Sequence, residues 1–536
     1  MTFVKTSYKN YLVSLVSFWI CLMPGALISG PLIPEIIIFV TSIIFLYLVA
    51  VEKNFLYISN RFNKFFYFFL LILLVSALVN FNPVSIKHSF FYIRFWLFSL
   101  TIWYLLNHCK NFLKYFFLSI TLTLFCLCVD AIWQKIFSIN LFGYPLHRSG
   151  RVSSFFGDEL VMGSFLAHLF PLYLYLISKT QTSYITTKYI ASSLLFFICI
   201  FLASSRTSMV IFLISLFFIT LFVESFRKKI IYIFLFILVI FFIGYKNKNV
   251  NFDRLVNHTI RQISSESNTS TVFSFRHQLH FLTALNIFKE NYIFGVGPNY
   301  FRYVCDDKKY IPQNYIDNIS KIVAKKDGEI KFEGTGRIYK LDRSFVSTLI
   351  KDSEIKNVIT KDLQLAKSTT VNTISLANKL GLSEVNNFRI FFDYKDKGIK
   401  NFQNISVNFK GFVFKNSSFI FKKGDTIMTT IPEYKNGCNT HPHNIYIQLL
   451  AETGIFGFLF IFSLFFYGLY FLLKSFFYKR KLEKILSTNQ ALLLISLLSS
   501  FFPLLPSGNF FNNWYAILIY FPVGFFIYEF SKKSSA

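Results

Sequence analysis

The sequence predicts an all-α polytopic membrane protein of about twelve transmembrane helices, with a large extramembrane segment after the ninth. Three observations carry this expectation. The 536 residues are 54% hydrophobic and 15% charged, with a mean hydropathy of +0.49, which is more apolar surface than a soluble core of this length uses. Apolar runs of bilayer length recur along the chain, and helices satisfy their own backbone in lipid. Lys and Arg gather in alternate loops, as orientation in a membrane requires. The net charge of +28 is therefore a topology signal and not a nucleic-acid footprint. The sequence contains no P-loop, dinucleotide fingerprint, HExxH or CxxC, and no spacing typical of metal ligands.

In order, the apolar runs lie near residues 11–29, 33–50, 64–80, 88–106, 112–133, 159–178, 187–204, 207–224, 229–245, 445–473, 489–503 and 514–530. Lys5 and Lys9 before Tyr11–Ile28 would also suit a signal peptide. No convincing small-x-small cleavage site follows, so this run reads as the first helix. With the N-terminus inside, the cytoplasmic loops receive Lys53, Arg61 and Lys64, then Lys110 and Lys114, then Lys179 and Lys188. They also receive Arg227, Lys228 and Lys229, the cluster from Lys474 to Lys484, and Lys532 with Lys533. Lys87 and Lys135 are the exceptions. The expectation is a multi-pass membrane protein with both termini cytoplasmic.

The organisation that follows has three parts. Residues 1–245 form an N-terminal bundle of about nine helices, and residues 443–536 a C-terminal bundle of about three. Between them, 246–442 is a large segment on the opposite, extracytoplasmic side. Its first part, 251–300, reads as helical, since FRHQLHFLTALNIFKEN spaces its apolar residues helically and stops before Gly295-Val296-Gly297-Pro298. Residues 319–432 are polar and Lys-rich. Alternation in NFRIFFDYK and ISVNFKGFVFKNSSFIFKKG predicts a small β-rich inserted domain. A basic linker without structure is the alternative for 319–380.

Chemistry concentrates where the polar segment meets the tenth helix, at THPHNIYIQLLAETGIFG, Thr440–Gly457. His443 sits at a helix mouth with the right intrinsic basicity for a general base. His441, set off by Pro442, is the weaker candidate. Glu452 is an acid among apolar residues, and such groups have a reason to be there. At about 100° per residue, His443 and Glu452 fall on opposite faces of one helix, so Glu452 is expected to bond a neighbouring helix. Arg151, Arg206 and Arg276 come from distant segments to the same membrane face. Their planar forks suit phosphate oxygens; pairing with headgroups or a nearby carboxylate is the alternative. Arg94 either snorkels outward or faces the bundle interior. Asp130 and Gln134 are placed to pair with Arg151 or Arg94, and Asp158 with Glu159 to cap the next helix.

The pattern His-Asn-x-Tyr-Ile-x-x-x-x-Glu-x-Gly-x-x-Gly, His443–Gly457, closely resembles the signature of the O-antigen ligase and polymerase family. The resemblance extends to DAIWQKIFSINLFGY, GRVSSFFGDELVMGS, SSRTS, FRHQLHFLTALNIFKENYIFGVGPNYF and PSGNFFNNW, and leaves 319–432 uncovered. It implies a membrane glycosyltransferase that moves a glycan from undecaprenyl diphosphate to an acceptor hydroxyl, without metal or cofactor. His443 matches the family's essential histidine. Arg206 and Arg276 match its diphosphate-binding arginines, with Arg151 and Arg94 as further candidates. Asn444, Tyr446, Glu452, Gly295 and Gly297 support the site. The donor is an undecaprenyl-diphosphate-linked glycan; the acceptor is lipid A–core in a ligase, or a lipid-linked glycan in a polymerase. A lipid-linked oligosaccharide flippase is the reading from another class. The absence of repeat halves and the few midplane ionisable groups argue against it.

Of the seven cysteines, Cys21, Cys126, Cys128 and Cys199 fall in apolar runs, and Cys109 at a cytoplasmic helix end. Cys305 and Cys438 alone fall on the oxidising side and flank the insertion, so a disulfide between them is expected.

Overall fold

The computed structural model describes residues 2–147, 149–180, 184–227, 230–247, 250–257, 259–260, 275–312, 321–323, 328–338, 340–341, 343–344, 405–408, 411–421, 426–429, 437–477 and 486–532. The chain forms two compact units, Met1–Tyr310 with Gly437–Ala536, and Ile311–Asn436.

Among the described residues of the first unit, seven helices are long and apolar enough to cross a membrane. They are Leu32–Glu52, Arg61–Val79, Pro83–His108, Phe112–Phe137, Ile185–Ala203, Ile445–Phe477 and Asn513–Ser531. Ile230–Lys246 with Val250–Asn257 makes an eighth if that bent pair is one span. The remaining runs are also helical but differ in kind. Thr488–Ser500 has 13 residues, a rise of about 20 Å against a hydrocarbon core of about 30 Å. Arg206–Phe222 has 17 residues. Met162–Thr180 is covered by protein along most of its length, with Leu166, His168, Pro171 and Tyr175 all buried, so it tolerates His, Pro and Tyr that a lipid-facing helix would avoid.

The first and last parts of this unit are sewn together. Ser99 Oγ donates to Tyr520 O (2.7 Å), and Trp514 Nε1 donates to Leu27 O (2.9 Å). Beneath these bonds, Phe95 stacks on Tyr520 and Phe98 on Phe521.

The helix Ile445–Phe477 breaks at Gly454, whose φ of 67° and ψ of −162° are not helical. The backbone groups released there are taken up by the segment Tyr292–Pro298: Val296 N–H donates to Ala451 O (3.0 Å), Gly297 N–H to Glu452 O (2.9 Å), and Ile455 N–H to Tyr292 O (2.9 Å). Non-helical backbone at a membrane helix is tolerated when protein satisfies it in this way. Gly454 and Gly295 both have positive φ. A Cβ on Gly454 would collide with Ile293 O, and one on Gly295 with the Glu452 backbone.

In the second unit, Gly328–Ile338 pairs antiparallel with Gly411–Phe421, whose other edge takes Ile405–Asn408. Lys321–Val323 pairs with Thr426–Thr429. The alternating stretch 405–424 thus contains two of these strands, while NFRIFFDYK lies outside the described residues.

Candidate functional site

The mouth of Ile445–Phe477 is built by a short polar code. Asn444 caps the helix, its Oδ1 accepting from Tyr446 N–H (3.0 Å) and Ile447 N–H (3.1 Å). Its Nδ2 reaches the last loop, donating to Pro503 O (2.8 Å) and Leu505 O (3.1 Å). One side chain therefore satisfies orphan helix donors and anchors a second segment. Tyr446 adds a bond from its hydroxyl to Phe501 O (2.6 Å). Ser507 N–H donates to His443 O (2.8 Å), and His441 Nε2 bonds Ser507 O (3.2 Å). Cys438 is bonded to Cys305, with Cα atoms 5.0 Å apart, which ties the helix Phe301–Val304 to the approach to His443.

His443 precedes the helix in a left-handed conformation, φ 61°, and so is not on the helical wheel that its spacing to Glu452 presumes. Its ring lies 4.2 Å from that of His441 and 5.0 Å from those of His277 and His280, between centroids. Asn439 Nδ2 is 3.2 Å from its Nε2. Among the described residues, no group of three or more His, Cys, Asp or Glu is arranged to hold a metal ion. His277 and His280 were not singled out in the sequence. Their i, i+3 spacing on Phe275–Glu290 puts them on one helix face, and that was the available signal.

Glu452 is fully buried. Its partner is a loop and not a neighbouring membrane helix, a correction to the expectation. Oε2 accepts from Asn299 N–H (3.0 Å) and Gln448 Nε2 (2.9 Å), and Oε1 from Phe301 N–H (2.9 Å). Gln448 continues the network to Asn509 Oδ1 (2.7 Å) and receives Phe510 N–H (3.0 Å). A peptide donor can aim at a buried carboxylate without bringing a second charge. Glu452 thereby fastens the Gly295–Phe301 loop and the last loop to one helix.

A second cluster gathers at the Ala203–Arg206 turn. Arg151 Nε donates to Ala203 O (2.9 Å), and Arg254 Nε to Ser204 O (3.2 Å). Arg254 is close enough to act electrostatically on both Arg151 and Arg206. Burial first, and Arg254 second, pull Arg151 down to about 10. Nothing in NFDRLV marked Arg254 in the sequence. The side chain of Arg276 lies outside the described residues.

Arg94 sits in the first turn of Ile93–His108 after a break at Tyr92, with Nε on Glu35 (3.0 Å), Nη1 on Phe91 O (2.6 Å) and Nη2 on Asn513 Oδ1 (2.8 Å). Each of its nitrogens thus has a protein partner. Two further expectations are corrected. Asp130 and Gln134 pair with neither Arg151 nor Arg94. Asp130 accepts from Leu141 N–H (2.8 Å) and Ser154 Oγ (2.6 Å), and Gln134 from Ser153 and Ser154 N–H (3.0 and 2.8 Å), so both shape the 138–157 loop. The helix after Asp158 and Glu159 begins only at Met162, beyond the position a cap would occupy.

Residues 191–322 match the family model of O-antigen ligase. The match supports the O-antigen ligase family, and with it a glycosyltransferase-like enzyme of ligase or polymerase type in a multi-pass membrane protein. No curated protein matches the chain. The matched segment contains Arg206, Arg254, Arg276, His277, His280 and the Gly295–Pro298 loop, and it ends before Cys438 and His443.

At this helix mouth, burial and then the rings of His441, His280 and His277 hold His443 at about 2. Burial outweighs the bond to Ser507 and holds His441 at about 4, with Arg302 and His277 adding to the depression. Both are neutral near pH 7. An unfolded histidine titrates near 6.5, so below that pH the unfolded chain binds protons that the folded one refuses. The stability is complete above about pH 6.5 and falls as pH drops toward the folded values, by up to about 1.4 kcal/mol per unit for each histidine. Thermal melts of the detergent-solubilised protein from pH 7.5 to 4.5 should show a falling Tm. A double His441→Gln, His443→Asn variant should show a shallower fall, and equal slopes would refute this account.

Proposed function

We propose that this chain transfers an undecaprenyl-diphosphate-linked glycan to the hydroxyl of lipid A–core, as an O-antigen ligase, without a metal or cofactor. The observation that carries the reading is the histidine cluster. His443 lies outside the matched segment, yet its ring sits against His277 and His280, which lie inside it.

In this reading the neutral imidazole of His443 takes the proton of the acceptor hydroxyl as its oxygen attacks the anomeric carbon. The bond from that carbon to the diphosphate oxygen breaks, and undecaprenyl diphosphate leaves with the electron pair. With only these protein groups around it, His443 is a weak base. A bound diphosphate brings negative charge that raises its proton affinity toward a useful range. Arg206 and Arg276, with Arg151 and Arg254, hold the leaving group as its charge grows. Asn444, Tyr446, Glu452, Gly295 and Gly297 keep the three site segments in register.

The same reading sets about twelve membrane-crossing helices, counting the shorter ones, in a bacterial inner membrane. Both termini are cytoplasmic and the site faces the periplasm, in line with the distribution of Lys and Arg. We read 319–432 as a small β-rich domain inserted on that side.

A polymerase that extends a lipid-linked chain uses the same chemistry with another acceptor. A lipopolysaccharide gel of a deletion strain separates the readings. Bare core without long chains is the expected result. Core bearing one unit would make the protein a polymerase, and precursor stranded on the cytoplasmic side would make it a flippase.

A further inference from the structure

We propose that Arg302 is an anion-binding residue of this site, holding a phosphate or carboxylate of one substrate beside the histidine cluster; the inference rests on the reading of His443 as the base of glycan transfer.

Arg302 is half-buried on the short helix Phe301–Val304, directly after the loop that Glu452 fastens. Its Nη2 donates to Asn299 Oδ1 (3.1 Å), while its Nε is buried with no hydrogen-bond partner. Among the described residues it forms no ion pair. The nearby acid, Glu452, already receives Asn299 N–H, Phe301 N–H and Gln448 Nε2, and it feels Arg302 only through space. Asn299 Oδ1 is shared with Asn509 Nδ2 (3.2 Å), and Asn299 Nδ2 faces His88 Nε2 (3.0 Å). The groups around the guanidinium are thus neutral or already satisfied, and none offers an oxygen to Nε.

A buried donor of a charged group left without an acceptor is costly. The guanidinium also opposes protonation of His441, whose ring lies 4.2 Å from that of His443. An oxyanion docked on Arg302 would satisfy Nε by a charge-assisted bond. It would also reverse the local field, making the histidine cluster more basic when substrate is present. Two sources fit this chemistry: the diphosphate of the donor, and an anionic substituent of the acceptor glycan.

The test uses the full-length protein in detergent, with wild type, Arg302→Gln and Arg302→Lys compared. Binding is measured for undecaprenyl diphosphate, for a phosphate-bearing acceptor glycan, and for that glycan after dephosphorylation. Arg302→Gln should weaken one anionic probe by roughly 10- to 100-fold, with Arg302→Lys recovering part. Weakened undecaprenyl diphosphate assigns the donor. Weakened phosphorylated acceptor, with the dephosphorylated form unchanged, assigns the acceptor. In transfer assays KM for the same substrate should rise more than kcat falls, which a merely structural residue would not produce. Unchanged binding of all probes in variants that melt like wild type overturns the proposal. If Arg302→Gln does not fold, the KM of Arg302→Lys decides, and an unaltered value overturns it. Full transfer by His443→Ala would instead defeat the underlying reading, since binding to Arg302 is measured without turnover.

Discussion

His443→Ala is expected to lower glycan transfer by ~10²–10⁴-fold, the range for loss of a general base, while the protein still reaches the membrane and keeps its Cys305–Cys438 bond. The distinction is physical. The side chain of His443 touches other rings and Asn439, whereas its backbone oxygen, retained in alanine, holds Ser507 N–H. Alanine thus removes the imidazole and leaves the loop tether. His441→Ala removes a side-chain bond to Ser507 O and should cost less activity than His443→Ala. Transfer assays on membranes carrying equal amounts of each variant check both. Near-normal activity of His443→Ala would remove it as the base.

Arg206→Ala combined with Arg276→Ala should lower transfer by at least ~10²-fold, comparable with loss of one preorganised electrostatic contact. Arg254→Ala should reduce it less, because its Nε is already spent on Ser204 O and only the remaining face is available. Lysine at Arg206 should rescue poorly, since a point charge does not reproduce the two-pronged contact. The measurement is kcat/KM for a lipid-diphosphate-linked glycan, with a competition arm using undecaprenyl diphosphate. Activity surviving in the double variant would discard the clamp.

Much of the helical framework was legible because apolar runs and helix formation are local properties. Each of the expected runs meets a helix, yet among the described residues only seven helices, or eight with the bent pair, are long and apolar enough to cross a bilayer. Met162–Thr180 reads as a span but is sheathed by protein, and Thr488–Ser500 is short. The site was legible only where chemistry was written in adjacent letters. His443 with Asn444 stood out in this way, whereas His277 and His280, though spaced to share a helix face, were not singled out. Arg302, Arg254 and Asn439 gave no such signal, since each matters through neighbours far along the chain.

By itself, then, the sequence determined what is set by composition and short-range order: apolar helices, alternate basic loops, a polar insertion, and His443 at a helix mouth. Only the tertiary structure decided partners. It sent Arg94 to Glu35 and Asn513, Asp130 to Leu141 N–H and Ser154 Oγ, Gln134 to the N–H groups of Ser153 and Ser154, and Glu452 to those of Asn299 and Phe301. A charged side chain pairs with whatever packing brings within about 3 Å. Helical periodicity fixes the face on which a residue lies, but not the segment that comes to cover it.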